Sequence, residues 1–156
     1  MTSPHWNKLD ILRVSAKAVD LWTPAIEFLP GGRLLRLRVS DKDKSDNPVP
    51  KKWRVGGTET GPNGIISGNA RTALMCPGAY QGALIAKLGG STADIGDPTQ
   101  SAAPFGTRKV FAVGESCVMP VAVADAGPLY LGINDDPTNF ANNDGELWVE
   151  LSEAPI

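Results

Sequence analysis

Histidine is nearly absent from this sequence: His5 is the single one among 156 residues. A Ser-His-Asp triad or a Cys-His pair needs a histidine beside its nucleophile, and a catalytic zinc site is usually built with histidine ligands. His5 lies in the terminal segment 1–10, which we expect to be flexible. We therefore expect a protein that is not an enzyme, in which any bound metal is held by oxygen ligands.

Long apolar runs and an excess of charge of one sign are also missing. No run of 18 apolar residues occurs, which predicts no membrane span. The first ten residues lack the apolar region of a secretory signal, so we expect a cytoplasmic protein, or one released to the cell surface or exterior by a non-classical route. The formal net charge is −2 and the pI is about 5.3, which predicts no nucleic-acid partner.

Cysteine is scarce as well, with Cys76 and Cys117 alone. Their spacing does not require a disulfide, although one stays possible. Without a visible export signal, we expect two buried free thiols.

Glycine and proline, in contrast, are abundant, at 17 and 13 residues. Both are poor helix formers, and no segment shows a helical stripe. The apolar residues instead alternate with polar ones, which is the pattern of strands. The pattern predicts a single all-β domain, 1–156, folded as an antiparallel β-sandwich of the jelly-roll kind. The predicted strands are 12–18, 23–28, 35–39, 84–88, 109–113, 118–124, 128–133 and 146–151, with 23–28 at an edge because Pro24 cannot lie in a central strand.

Two long loops and two charged segments interrupt this pattern. The predicted loops are 41–68 and 89–106, and loops of this length are often functional. Segment 33–54 has eight basic and three acidic residues, whereas segment 134–156 has six acidic and no basic residues. We favour two solvated faces whose charges cancel. The alternative is a basic loop beside an acidic site.

The segment 134–145 has the composition of a calcium-binding loop. Seven of the eleven residues 134–144 are Asp or Asn. Calcium takes six to eight oxygen ligands from carboxylates, amides, backbone carbonyls and water. The spacing is not that of an EF-hand, which needs Gly at position 6 and Glu at position 12. Because Asp, Asn, Gly and Pro are also the ordinary turn residues, a plain turn is the competing interpretation.

Three segments resemble the PA-IL-like family, the small calcium-dependent galactose-binding lectins of bacteria. The first reads Asn134-Asp135-x-Pro137-x-x-Phe140-x-Asn142-Asn143-x-Gly145 and is similar to the family's C-terminal loop in order and spacing. The second is 76–87, which resembles the family's cysteine, aromatic and Gly-Ala-Leu strand. The third is Pro30-Gly31, followed by a strand and a loop that reaches Trp53.

The resemblance implies a jelly-roll sandwich with one Ca²⁺ ion at the loop end. It implies side-chain ligation by Asp135, Asn142 and Asn143. It also implies backbone carbonyl ligands at Asn139 and at Asn47, or at Asp46 if the alignment shifts by one residue.

In such lectins two vicinal sugar hydroxyls complete the calcium shell, so the resemblance implies galactose-type glycans as partners. The implied sugar-binding residues are Asp135, Asp136, Asn139, Asn142, Asn69 and Thr72. Asn69 and Thr72 stand where the family has His and Gln, and both can form hydrogen bonds. The alternative function is a structural or protein-interaction sandwich whose calcium only orders a loop.

Two tryptophans have alternatives of their own. Trp53 in the long loop is expected to be a buried anchor rather than a sugar-stacking platform. Trp148 lies on the polar side of the last predicted strand, and an exposed position there would favour a homo-oligomer interface.

Overall fold

The structure is a computed structural model that describes residues 5–18, 21–66, 74–92 and 109–156. Within these ranges ten strands and two short 3-10 helices are present. The helices are Val123–Asp125 and Pro137–Asn142. The strands are β1 (Asn7–Ser15), β2 (Thr23–Leu29), β3 (Arg33–Ser40), β4 (Trp53–Val55), β5 (Thr58–Thr60), β6 (Leu84–Leu88), β7 (Lys109–Ala112), β8 (Ser116–Val121), β9 (Gly127–Ile133) and β10 (Asp144–Pro155).

The described strands form two antiparallel sheets. The larger has six strands in the order β5-β4-β10-β3-β8, with β1 also paired to β10. Because β10 pairs with both β1 and β3 over 148–153, those two strands lie on its opposite edges. The smaller sheet has the order β2-β9-β6-β7, which places Pro24 in an edge strand as predicted. The predicted all-β antiparallel sandwich is confirmed.

The core forms where alternating apolar residues of the two sheets meet. On β3 and β10 buried apolar residues alternate with partly or fully exposed ones over 35–39 and 147–151, so one face of each strand is apolar. These side chains join a single buried cluster with the inward residues of β9. The most buried members from these three strands are Leu35, Leu37, Val39, Leu129, Leu131, Ile133, Leu147, Val149 and Leu151.

The two charged segments meet on the outer face of the larger sheet. Arg38 pairs with Glu150 at 2.9 Å, and Arg33 pairs with Glu153 at 3.2 Å, because β3 and β10 are antiparallel neighbours. The charges of these two strands therefore cancel in part through cross-strand pairs. Other basic residues of segment 33–54 pair outside segment 134–156: Lys44 with Asp10, Lys51 with Glu115 and Lys52 with Glu59. Such partly exposed pairs contribute about 0–1 kcal/mol each to stability.

Strand β6 is buried on both faces, which its alternation of Leu84, Ala86 and Leu88 did not predict. Lys87 is fully buried in this strand. Its ammonium donates a hydrogen bond to the Ser91 carbonyl. It also lies 5.0 Å from the ring centroid of Trp22 and 4.9 Å from that of Tyr130. The carbonyl and the two ring faces contribute to compensating the loss of water around the cation.

Several boundaries differ from the predicted ones. β1 begins at Asn7 and pairs with β10 from there, so part of the segment expected to be flexible is ordered. β8 ends at Val121, before a 3-10 turn. The predicted loop 41–68 contains the hairpin β4–β5, whose turn is Gly56-Gly57 with φ of 55° and 84°. Two positive φ values suit a tight two-residue turn, and glycine adopts them without strain.

The remaining sequence predictions on side chains concern tryptophan and cysteine. Trp53 is 1% exposed and is a buried anchor, as predicted. Trp148 is half-buried. Cys76 and Cys117 are free thiols, the first buried and the second half-buried. Most of the predicted loop 89–106 lies outside the described residues. Within the described part of the chain, no helix has the length and apolarity to cross a membrane.

Candidate functional site

The Asp- and Asn-rich loop connects β9 to β10 at one end of the sandwich. Asp136 caps the 3-10 helix Pro137–Asn142: its Oδ1 accepts hydrogen bonds from the Thr138 backbone N–H at 2.9 Å and from the Thr138 hydroxyl at 2.8 Å. Phe140 is 7% exposed and belongs to the core cluster. One end of the loop is therefore capped and its middle is anchored by an aromatic side chain.

Asn134 ties this loop to segment 74–83, which precedes β6. Its side chain is fully buried. Oδ1 accepts from the Cys76 N–H at 2.8 Å, and Nδ2 donates to the carbonyls of Cys76, Ala79 and Tyr80 at 2.9–3.1 Å. All hydrogen-bonding groups of this amide are used inside the protein, so Asn134 is a structural cross-link.

Asp135 is the buried carboxylate of the loop, with 1% exposure. Its Oδ1 accepts a hydrogen bond from Gln81 Nε2 at 2.9 Å. Among the described residues, no Lys, Arg or His forms an ion pair with it. Burying an ionised carboxylate is costly unless it is paired or binds a metal. Among the described residues this carboxylate therefore has one neutral hydrogen-bond donor and no cationic partner, and a bound cation would compensate its burial.

Asn143 is another buried polar side chain of the loop, and it is also 1% exposed. Its Oδ1 accepts from the Gly56 N–H of the β4–β5 turn at 3.1 Å, and its Nδ2 is buried without a hydrogen-bond partner. A carbonyl oxygen has two lone pairs, so Oδ1 retains one for a cation. The orphaned Nδ2 is a donor available to a ligand oxygen.

The elements around the loop are fixed to one another. Trp53 Nε1 donates to the Gly82 carbonyl at 2.7 Å, and the Gly82 N–H donates to the Asn134 carbonyl at 2.7 Å. The hairpin β4–β5, segment 74–83 and the loop thus share one chain of hydrogen bonds. Gly145 follows the loop with φ of 85°, and an added Cβ would lie 3.3 Å from the Trp53 Cα.

Asn47 lies on the surface in a tight turn. Asp43 Oδ1 accepts from the backbone N–H groups of Ser45 at 2.8 Å and Asn47 at 3.0 Å, and the Asn47 carbonyl accepts from the Asp43 N–H at 2.9 Å. The hydrogen bond from the Asn47 N–H is the main reason that the pKa of Asp43 is lowered. The turn holds the Asn47 carbonyl in a defined position, and the nearby Lys44 pairs with Asp10 of β1 at 3.2 Å.

The predicted site residues therefore have different environments. Asp135 and Asn143 are buried at the two ends of the loop, whereas Asn142 is exposed. The backbone of Asn139 belongs to the 3-10 helix, and its side chain is not described. Asn69 and Thr72 lie outside the described residues. No three His, Cys, Asp or Glu side chains come together in the described ranges, so a cation here would rely on one carboxylate with amides and carbonyls.

Two residues that support the site were not among the predicted site residues. Gln81 donates a hydrogen bond to the Asp135 carboxylate. Asn134 ties the backbone of the loop to that of segment 74–83. Asn134 was visible as part of the Asp- and Asn-rich loop. Nothing in the sequence pattern indicated Gln81, because the two side chains are 54 residues apart.

No family model and no curated protein matches this chain. Among solved structures it is similar to the one described as "EclA N-terminal domain; PllA-like lectin". The sequence identity is 20%, the TM-score is 0.57, and the match covers 94% of this chain and 98% of the other. At this identity the similarity shows that the two chains share a fold over nearly their whole length.

Proposed function

We propose that this protein is a calcium-dependent carbohydrate-binding protein, a lectin, that binds galactose or galactosides. The observation that carries the proposal is the Asp135 carboxylate, which is only 1% exposed. In the described part of the chain it has one neutral hydrogen bond and no cationic partner. The shared fold with a solved lectin domain supports it, as does the resemblance of the loop 134–145 to the PA-IL-like family.

The oxygen ligands available at the loop fit calcium better than a transition metal. The loop offers the carboxylate of Asp135, the side-chain amides of Asn142 and Asn143 and the backbone carbonyl of Asn139, and the resemblance implies the Asn47 carbonyl as a further ligand. Hard oxygen ligands are typical of calcium sites, and nitrogen and sulfur ligands are absent from this set. When bound, the ion would supply open coordination positions for two neighbouring hydroxyls of a sugar.

The side chains around those positions have the donors and acceptors that a sugar needs. Gln81 orients Asp135 so that one carboxylate oxygen is already hydrogen-bonded, and the other is left to accept from a hydroxyl. Asn142 is exposed and can donate or accept. Hydrogen bonds from hydroxyls to an ionised carboxylate belong to the stronger class, so Asp135 is the main polar contact. Asp136, Asn69 and Thr72 are proposed to contribute to the choice of sugar.

The test is a calorimetric titration of the calcium-free protein with Ca²⁺, followed by methyl β-galactoside. Asp135→Asn keeps the shape but removes the charge, and we expect it to abolish calcium binding and the galactoside signal. Asp144→Asn, an exposed acidic residue of the same loop, is the matched control and should behave as the wild type.

Thermal unfolding gives an independent readout of calcium. Ca²⁺ at about 100 times its Kd should stabilise the wild type by about 2.7 kcal/mol, because it binds the folded state. Unchanged calcium affinity in Asp135→Asn would show that the site is wrongly assigned. Calcium binding without any response to galactosides or to a glycan array would favour the structural module over the lectin.

A further inference from the structure

The strand β8 forms one edge of the larger sheet. Among the described residues it pairs with β3 alone, in an unbroken register that runs from Arg33 opposite Val121 to Arg38 opposite Ser116. Its other side therefore has a row of backbone N–H and C=O groups that no strand of the described chain pairs. Such a row is a template for a strand of another chain.

The described edge strands differ in how they are protected against pairing with another chain. Charged residues, prolines, bulges and short length are the usual protective features. β1 and β2 have register shifts and charged residues, β5 is three residues long with Glu59 at its centre, and β7 is four residues long and begins with Lys109. β8 is six residues long, without a register shift and without Lys, Arg, Asp or Glu, and Pro120 is its one protective residue.

Hydrogen bonds at the two ends of β8 show which of its backbone groups are free. The carbonyls of Glu115 and Val121 accept hydrogen bonds at 2.9 and 2.7 Å from N–H groups of β3 and of the residue before it. In an antiparallel pair the N–H and C=O of one residue point to the same side, and that side alternates along the strand. The residues whose backbone groups face the free edge are therefore Ser116, Val118 and Pro120. A proline at such a position costs the sheet no hydrogen bond.

This edge is complementary to a second copy of itself. If the second copy lies antiparallel about a two-fold axis at Val118, the two Val118 residues exchange both of their N–H···O=C hydrogen bonds. Each Ser116 N–H then meets the Pro120 carbonyl of the other copy, which adds two more. A two-fold contact places the same patch of both copies face to face, and β8 has no charge that would repel its own copy.

Apolar surface accompanies these hydrogen bonds on both faces of the strand. On the outer face, Val118 is 55% exposed and lies at the axis, where it would pack against its own copy. On the inner face, Cys117 and Met119 are half-buried and line a cavity of about 740 Å³ between β8 and β7, whose described lining is apolar except for Lys109. In the symmetric pair Cys117 lies opposite Met119 of the second copy, so the open sides of the two sandwiches meet. Removal of apolar area from water is the main favourable contribution to protein association.

We propose that two copies of this protein associate through β8 and form one continuous sheet across a two-fold axis at Val118. The interface uses no residue of the loop 134–145, so the dimer does not rest on the proposed calcium and sugar site.

The first test is sedimentation equilibrium of the full chain over a range of concentrations. We expect the mass to rise from 16.5 kDa to twice that value. Val118→Lys should weaken the dimer by about tenfold or more, because it places like charges opposite each other and protects the free edge. The matched control is Phe28→Lys, which makes the same kind of change at a side chain that is 62% exposed. Phe28 lies on β2, at the other edge of the smaller sheet from β7, and this variant should dimerise as the wild type does.

The second test concerns the backbone register. Pro120→Ala restores an N–H on the free edge, which can donate to the Ser116 carbonyl of the second copy. Because two hydrogen bonds are gained per dimer, we expect the dimer to tighten by about tenfold. In the wild type, hydrogen exchange of the Ser116 and Val118 amides should slow as the protein concentration rises.

Circular dichroism of each variant separates loss of the interface from loss of the fold. The proposal is overturned if the protein is a monomer at every concentration, if Val118→Lys dimerises as tightly as the wild type, if Phe28→Lys weakens the dimer equally, or if Pro120→Ala fails to tighten it.

Discussion

A single buried amide, Asn134, connects the two ends of the candidate site. Its four hydrogen bonds reach three residues of segment 74–83, and its backbone bonds to Gly82 and Ala83. An Asp- and Asn-rich loop would otherwise have many turn conformations of similar energy. The side chain of Asn134 thus fixes the backbone, whereas the side chain of Asp135, one position further, has a single hydrogen bond, from Gln81.

This difference predicts the effect of replacing Asn134. Asn134→Ala should lower the free energy of unfolding by about 2–4 kcal/mol, because it leaves buried N–H and C=O groups of segment 74–83 without partners. Urea denaturation in a calcium-free buffer measures the loss.

The control is Asn142→Ala, which removes an exposed amide of the same loop and should stay within about 0.5 kcal/mol of the wild type. Equal midpoints for the two variants would contradict the structural role of Asn134.

At the scale of elements, two glycines lie where the hairpin β4–β5 meets the loop: Gly57 in the hairpin turn and Gly145 beside Trp53. Gly57 and Gly145 have nearly the same positive φ, 84° and 85°, but different surroundings. A Cβ at Gly57 meets nothing within 4 Å, whereas a Cβ at Gly145 lies 3.3 Å from the Trp53 Cα. Replacing each glycine by alanine therefore distinguishes the cost of backbone strain alone, at Gly57, from the cost of strain plus steric crowding, at Gly145.

We expect Gly57→Ala to cost about 1–2 kcal/mol, the strain of a left-handed conformation. Gly145→Ala should cost about 1–3 kcal/mol more, because it also pushes against the Trp53 backbone. Urea midpoints of the two variants give the comparison. Equal losses would show that the hairpin moves aside freely and does not constrain the loop.

Prediction from the sequence succeeded for elements with a clear period. Apolar residues alternate with others along β3 and β10 because one face of each strand is buried. The Asp and Asn content of loop 134–145 marked it as a candidate site. The hairpin β4–β5 was missed because a strand of three residues shows too little of the two-residue period. Lys87 was missed as a buried residue because its burial depends on Trp22 and Tyr130, which are distant in sequence. The site itself could be predicted only as far as the loop, since Gln81 and Gly56 reach it from other elements.

At the scale of the whole molecule, both sheets contribute to a single buried cluster. Leu131 on β9 and Leu151 on β10 come from different sheets and are both fully buried. Domains of about this size with one core usually unfold in one cooperative step. The two sheets should therefore lose their structure together.

Leu131→Ala and Leu151→Ala should each destabilise the protein by about 2–5 kcal/mol. In both variants, tryptophan fluorescence and far-ultraviolet circular dichroism should report the same urea midpoint. Leu9→Ala, at a side chain that is 42% exposed, is the control and should change stability by less than about 0.5 kcal/mol. Separate midpoints for the two probes would mean that the sheets unfold independently.

The position of β10 has a consequence for how the chain is made. In the described part of the molecule this strand pairs with β1, β3 and β4, yet it follows all of them in chain order. A ribosome adds about 5–20 residues per second, so Asn7–Ser15 emerges long before the strand that will pair with it. Throughout that interval β1 presents an unpaired strand edge, the kind of surface that aggregates. The larger sheet therefore cannot be completed until Asp144–Pro155 has been made.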